Sequence, residues 1–189
     1  MSAPVPGPAD YARACVGCYS GGGAAPSPPD DPFYRRPAAC FVTLKKDGEL
    51  RGCIGTLEPA EPTLGAEIAR NARASATQDP RFPPVTDDEC EALACSVDVL
   101  SPSEPCTLAD LDAARYGVIV EAGFRRGVLL PALSGVDHVA AQVGIALQKA
   151  GIGADEPFDV RRFTVTRYRE GDAPAATTRG AASAGEADG

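Results

Sequence analysis

The sequence holds one histidine, one methionine and no tryptophan. A lone histidine excludes metal sites built on paired histidines, including the HExxH and two-His-one-carboxylate types. It leaves only His138 for an imidazole-based triad. Without Trp, an extended base-stacking platform is not expected. No apolar run approaches the ~18 residues of a membrane span. The opening stretch MSAPVPGPAD has neither a positive n-region nor an apolar h-region, so a secretory signal is not expected. Basic residues are in deficit: 18 Lys and Arg stand against 26 Asp and Glu, for a formal charge of −8. That balance argues against non-specific binding to nucleic acid or anionic membrane, and leaves room for a local basic pocket. Seven cysteines form an odd set with no export signal, the pattern of reduced thiols in a cytoplasm.

What is present suits one domain, since 189 residues fall within roughly 100–200 per domain. Such a chain buries about two thirds of its unfolded surface and needs no staples. Residues 1–9 are mostly Pro, Ala and Gly, and 171–189 lack large apolar side chains, so both read as disordered tails around a domain at 10–170. No internal repeat is found. Tyr11 to Gly21 reads as a helix with Tyr11, Cys15 and Cys18 on one side, and 21–39 as a Gly/Pro-rich loop. In FVTLKKDGELRGCIGTLEP, two apolar runs flank Asp47-Gly48, the dipeptide suited to a two-residue type I′ turn. Residues 62–77 read as a helix with Leu64, Ile68, Ala72 and Ala76 along one side. The three prolines of DPRFPPV force an irregular loop. Thr86 and Glu89 fit a capping box on a short helix. Leu93, Cys95, Val97 and Val99 alternate as in a half-buried strand, and 116–122 and 127–131 resemble a second hairpin around 123–126. Asp137 to Ala150 reads as a helix ending at Gly151, and 158–168 as one last strand. The fold class implied is α+β, mainly antiparallel sheet with packed helices.

Counting outward from Asp47-Gly48 pairs Lys46 with Glu49, Leu44 with Arg51, Val42 with Cys53 and Cys40 with Gly55. On that register Arg51 and Cys53 share a face, with Cβ atoms about 7 Å apart. A guanidinium so placed favours thiolate over thiol and lowers a cysteine pKa from its unperturbed ~8.5. Gly52 and Gly55 flank the cysteine and mark a place where a ligand could approach the backbone. The competing reading makes Cys53 a small buried hydrophobe, with glycines that merely permit close packing.

Leu50-Arg51-Gly52-Cys53-Ile54-Gly55 resembles the LRGCIG signature of the AMMECR domain family. The resemblance extends over most of 11–170, through Phe41-Val42-Thr43-Leu44, Asp79-Pro80-Arg81-Phe82-Pro83-Pro84, Val99-Leu100-Ser101 with Glu104, Gly127-Val128-Leu129-Leu130-Pro131 and Lys149-Ala150-Gly151. It implies an α+β fold with a larger and a smaller lobe. It also implies membership of the three-protein system called AmmeMemoRadiSam, alongside a dioxygenase-like and a radical SAM protein. Members commonly carry Gln after the LLP motif and a Trp soon after, where this chain has Ala132 and Gly135-Val136.

Other candidates are weaker. Cys15-Val16-Gly17-Cys18 matches C-x-x-C but lacks the second pair of ligands a zinc ribbon needs, and sits on an apolar helix stripe. Cys40, diagonal to Cys53, lies beyond unstrained disulfide reach. His138 reads as a surface residue at a helix start, and Arg125-Arg126 as a solvated hairpin tip. Asp79 and Arg81 sit in a proline-stiffened loop able to line a site rim. The leading expectation is therefore a cytoplasmic domain without metal or cofactor. In it Cys53 acts as nucleophile or covalent carrier on a small anionic substrate, Arg51 activates it, Gly52 and Gly55 give access, and Asp79 and Arg81 line the rim. The alternatives are a non-enzymatic module that docks the dioxygenase-like or radical SAM partner and, less favoured by charge, a nucleotide- or RNA-binding domain.

Overall fold

The computed structural model describes residues 4–175 (the side chain of Ser20 excepted). Helix α1 (Pro8–Ser20) starts on a proline, whose missing N–H costs nothing in the first turn. A one-turn helix, α2 (Pro32–Arg35), follows, with Asp31 capping it by accepting from the Phe33 amide at 2.8 Å. The hairpin strands β1 (Cys40–Lys46) and β2 (Glu49–Gly55) meet at Asp47 and Gly48, whose φ angles of 52° and 84° are those of the expected type I′ turn. Next come α3 (Leu64–Thr77), the short α4 (Asp87–Cys90) and β3 (Leu93–Leu100). Then β4 (Glu104–Pro105), β5 (Gly117–Ala122) and β6 (Arg125–Leu129) precede α5 (Val139–Ala150), which ends at a left-handed Gly151 with φ 66°. Strands β7 (Asp159–Phe163) and β8 (Val165–Arg169) close the domain.

Two antiparallel four-stranded sheets result, ordered β2-β1-β3-β8 and β4-β7-β5-β6. The architecture is α+β. In the larger lobe α1 and α3 cover one face of the first sheet, where Cys40, Val42 and Leu44 alternate inward toward Leu64, Ile68 and Ala72. In the smaller lobe α5 packs on β5 and β6 over Val118, Val120, Val143 and Ala146. A third cluster, Ala39, Leu100, Ile119 and Phe163 with Phe41, Val128 and Val165 against it, joins the lobes. An ion pair between Arg126 and Glu58, 2.7 Å long, ties them further.

Several expectations need correction. The last strand is two strands in different sheets, because the chain breaks at Thr164, whose amide donates to Ser101 Oγ at 2.9 Å. The loop at 21–39 contains α2, whose Phe33 and Tyr34 are core residues. The expected N-terminal tail overlaps the fold: Ala9 is buried, and Pro6 O accepts from the Tyr34 hydroxyl at 2.6 Å. The remainder of the expected tails, 1–3 and 176–189, lies outside the described residues.

Candidate functional site

Pairing begins as expected, Lys46 opposite Glu49 and Lys45 opposite Leu50, but then Leu44 faces Gly52 and Thr43 faces Cys53. Arg51 has no residue opposite it. It forms a β-bulge, and every later residue of β2 is displaced by one from the expected register. Because side chains alternate along a strand, a slip of one exchanges the faces. Cys53 therefore joins Phe41, Thr43 and Lys45 on the open face of the sheet. Arg51 instead meets Glu89 on the helix side, where Lys46 also reaches it. The expectation that Arg51 and Cys53 project together is overturned.

Arg51 is bound from several directions. Its Nε and Nη2 donate to the two Glu89 carboxylate oxygens at 3.1 and 2.8 Å, and Nη1 donates to Pro83 O at 2.9 Å. Lys46 Nζ adds a third cationic donor to Glu89 at 3.1 Å. These donors hold the Glu89 carboxyl down at about 2. Glu89 also completes the capping box with Thr86. Arg51 thus staples the 79–90 segment to the hairpin, and activation of the thiol by its guanidinium is not what the geometry shows.

The backbone of Cys53 is held by the pair expected at the rim. Its amide donates to Asp79 Oδ2 at 2.9 Å, and its carbonyl accepts from Arg81 Nη2 at 3.3 Å. Both groups point outward from β2, so one carboxylate and one guanidinium satisfy the sheet edge where a neighbouring strand would. Asp79 is buried and also accepts from the Arg81 amide and guanidinium, at 3.1, 2.9 and 2.7 Å, which keeps its carboxyl well below the usual carboxylate range. Asp79 is accordingly a brace, whereas Arg81, half exposed, keeps a face toward solvent. Phe82 lies under both guanidinium groups, with its ring centroid 5.9 Å from Arg51 Cζ and 5.5 Å from Arg81 Cζ.

The glycines do not open the backbone. A Cβ on Gly52 would stand 2.2 Å from Ser75 O, and one on Gly55 2.3 Å from the Phe41 ring. Both exist for close approach within the fold, the first allowing α3 to lie against β2. Ser75 uses that proximity: its hydroxyl donates to Val42 O at 2.7 Å and accepts from the Ile54 amide at 2.9 Å. Asn71 and Glu67 continue the same helix face, Asn71 Nδ2 donating to Cys40 O at 2.9 Å while Glu67 accepts from the Thr56 hydroxyl and from the Ala60 and Glu61 amides. The i, i+4, i+8 spacing of these three buried polar residues was the available sequence signal.

The sulfur itself is half-buried, with Thr43 Oγ1 3.2 Å away. Across the open face the row Cys53, Thr43, Ser96 and Arg169 runs over all four strands, beside a second row of Gly55, Phe41, Asp98 and Arg167. Arg167 donates to both oxygens of buried Asp98, at 2.7 and 2.6 Å. Arg81 and Arg167 both lie within electrostatic reach of the Cys53 sulfur. Thr43, Ser96, Asp98, Arg167 and Arg169 are not marked as site residues by the sequence, because they come together only through strand order and the bulge. A cavity of about 490 Å³ opens on this face, lined by Thr43, Lys45, Ser96, Arg167, Arg169 and Glu170 among others.

Of the remaining cysteines, Cys15, Cys40 and Cys95 are buried, whereas Cys18, Cys90 and Cys106 are half-buried like Cys53. Burial pushes Cys15 up to about 11 and both Cys40 and Cys95 up to about 12. Cys40 lies on the core face, and no disulfide joins the seven. His138 is the exposed residue preceding α5. Arg125 is drawn away to Glu156, 2.9 Å distant, and does not converge with Arg81. Among the described residues no group of three or more His, Cys, Asp or Glu is arranged to hold a metal ion, and no helix is long and apolar enough to cross a membrane.

Known proteins resemble this chain in sequence and fold. A protein of Thermotoga maritima is 54% identical over 146 residues, covering 76% of this chain and 83% of that protein. One from Clostridium acetobutylicum is 48% identical over 130 residues, 69% of this chain and only 28% of its own length. The crystal structure of an uncharacterised protein from Pyrococcus horikoshii superposes with a TM-score of 0.77 at 31% identity, covering 88% of this chain and 91% of that one. The profile of the AMMECR1 domain matches residues 9–171, from the first helix through the last strand of both sheets. With the bulged hairpin, both lobes and nearly every described element inside that match, the chain belongs to the AMMECR1 family.

Proposed function

We propose that this AMMECR1 domain binds a small anionic substrate on the open face of its larger sheet, with Cys53 as nucleophile or covalent carrier. The observation that carries this reading is the placement of the thiol. It stands on the open face beside the Thr43 hydroxyl, with its own amide and carbonyl fixed by Asp79 and Arg81. Preorganisation of this kind favours a reacting geometry, because the sulfur does not have to be ordered when substrate arrives. Thr43 can donate to a thiolate, and the half-exposed Arg81 guanidinium, beside the Cys53 carbonyl, can donate to an incoming anion without making the whole surface basic.

In the step this arrangement supports, the thiol proton passes to solvent and the sulfur bonds to an electrophilic carbon. The displaced electron pair moves onto the substrate's leaving group or carbonyl oxygen, where Arg81 can accept the negative charge. Arg51 acts at a remove, as a positioning residue for the segment that carries Asp79 and Arg81. On this reading the dioxygenase-like and radical SAM proteins of an AmmeMemoRadiSam-like system would be the partners that supply or consume the bound molecule, in a cytoplasm.

Limited iodoacetamide treatment followed by peptide mass mapping tests the reading. Cys53 is expected to be alkylated first, with Thr43→Val slowing it severalfold. If Cys53 reacts no faster than a cysteine in a free peptide, while Cys53→Ala still captures partner proteins, the domain is a docking module and the nucleophile reading fails.

A further inference from the structure

The open face around Cys53 carries cations in two different states. Arg167 is neutralised by Asp98, through two hydrogen bonds of 2.7 and 2.6 Å. Lys46, next in sequence to Lys45 but on the opposite face, is paired with Glu89, which it shares with Arg51. Lys45 and Arg169 also line the cavity beside Thr43 and Ser96, and among the described residues neither side chain has an ion-pair partner. The one carboxylate lining the same cavity, Glu170, is engaged by the Cys95 amide at 2.6 Å. Asp172 is likewise engaged, accepting from the Arg169 backbone amide at 2.6 Å.

Register fixes where these cations lie relative to the sulfur. Thr43 is opposite Cys53, Ser96 is opposite Thr43, and Arg169 is opposite Ser96. Lys45 is two residues along β1 from Thr43 and so on the same face, opposite Ala94. With strands about 4.8 Å apart, Arg169 originates roughly 14 Å from Cys53 and Lys45 roughly 7–8 Å away on a diagonal. Both side chains are long enough to meet over the groove, which leaves the hydroxyls of Thr43 and Ser96 between the sulfur and the cations. A molecule reaching from one to the other would span about 8–10 Å, and hydroxyls can hydrogen-bond its middle.

We infer that Lys45 and Arg169 form an oxyanion subsite distal to Cys53, so that the substrate is elongated, with a carboxylate or phosphate remote from its electrophilic carbon. This rests on Cys53 being the reacting thiol. A guanidinium and an ammonium together suit a terminal oxyanion, the first through its planar fork and the second as a point charge. The groove's shape then selects length, while the sulfur selects reactivity.

Alkylating probes of matched reactivity test this directly. N-iodoacetyl-6-aminohexanoic acid, its amide, and a phosphate-ended analogue each react by the same step: the C–S bond forms, the C–I bond breaks and iodide leaves. At low salt either acid is expected to label Cys53 about tenfold faster than the amide, after correction for their rates with a free thiol. The faster of the two identifies the oxyanion. That advantage is expected to fall within twofold in the Lys45→Gln/Arg169→Gln variant, and in wild type at 0.5 M salt, as screening requires. Neutral iodoacetamide is expected to label wild type and variant alike, which shows that the fold and the thiol are intact. Equal rates for acids and amide, or an advantage that survives in the variant, overturn the subsite alone. Failure of iodoacetamide to single out Cys53 overturns the thiol reading, and the subsite with it.

Discussion

Removing Arg51 separates two roles that its position in the signature leaves confounded. In the structure its guanidinium donates to both Glu89 oxygens and to the Pro83 and Pro84 carbonyls, and its side chain is only 12% exposed. A partly buried pair of this geometry lies between an exposed ion pair, worth about 0–1 kcal/mol, and a buried one, whose breaking costs about 3–5 kcal/mol. Arg51→Ala is therefore expected to cost about 2–3 kcal/mol. At about 2–4 °C per kcal/mol for a domain of this size, melting should fall by about 5–10 °C. Glu89→Gln should cost nearly as much, and the double variant little more than either alone, because both lose one interaction. Iodoacetamide labelling of Cys53 should change in the same direction in both single variants, since each loosens the segment bearing Asp79 and Arg81. Thermal melts and labelling rates on the four proteins complete the cycle. If Arg51 instead activated the thiol by its charge, Arg51→Ala would slow labelling and Glu89→Gln, which frees that charge, would speed it. Opposite signs in the two single variants would refute the staple.

Further outcomes follow from the same contacts. Glu89, held at about 2 in the fold, would titrate near 4.3 when unfolded, so its stabilisation is complete above that value and is lost as pH falls toward 2. Acid unfolding of wild type should accordingly show a component in that window that Glu89→Gln lacks. Asp79→Ala, which removes the buried acceptor for the Cys53 and Arg81 amides, should destabilise by about 3–4 kcal/mol in denaturant titration and raise hydrogen exchange at the Cys53 amide. Gly52→Ala should cost about 2–4 kcal/mol, because its Cβ would meet a backbone carbonyl of α3, which moves only with the helix.

How far the fold could be read in advance depended on whether a feature is local. The Asp47-Gly48 turn, the Thr86–Glu89 capping box and the left-handed Gly151 are set by neighbours in sequence, and each appears where expected. The bulge at Arg51 is not local: it coincides with the pull of Glu89, Pro83 and Pro84, more than 30 residues away, and no alternation pattern records it. That single residue put Cys53 on the opposite face of the sheet from Arg51. The break at Thr164 was hidden for a similar reason, since 158–168 keeps strand-forming residues throughout while the two sheets divide it. A proline-rich loop advertises Asp79 and Arg81 as fixed in position, but their role as a strand-edge brace depends on β2 lying at the edge of its sheet, which only tertiary structure sets. The open-face residues Thr43, Ser96 and Arg169 lie on three strands whose order only tertiary structure sets.

Two reagents of nearly equal size decide whether the thiol of Cys53 meets anions in a positive setting. Iodoacetate and iodoacetamide differ chiefly by one negative charge, so their rate ratio at Cys53, divided by the ratio for a free peptide cysteine, reports the local potential. At low ionic strength this quotient should exceed one severalfold, fall toward one at high salt, and drop in Arg81→Gln. A quotient at or below one in the wild-type protein would contradict the claim that this face receives an anionic substrate.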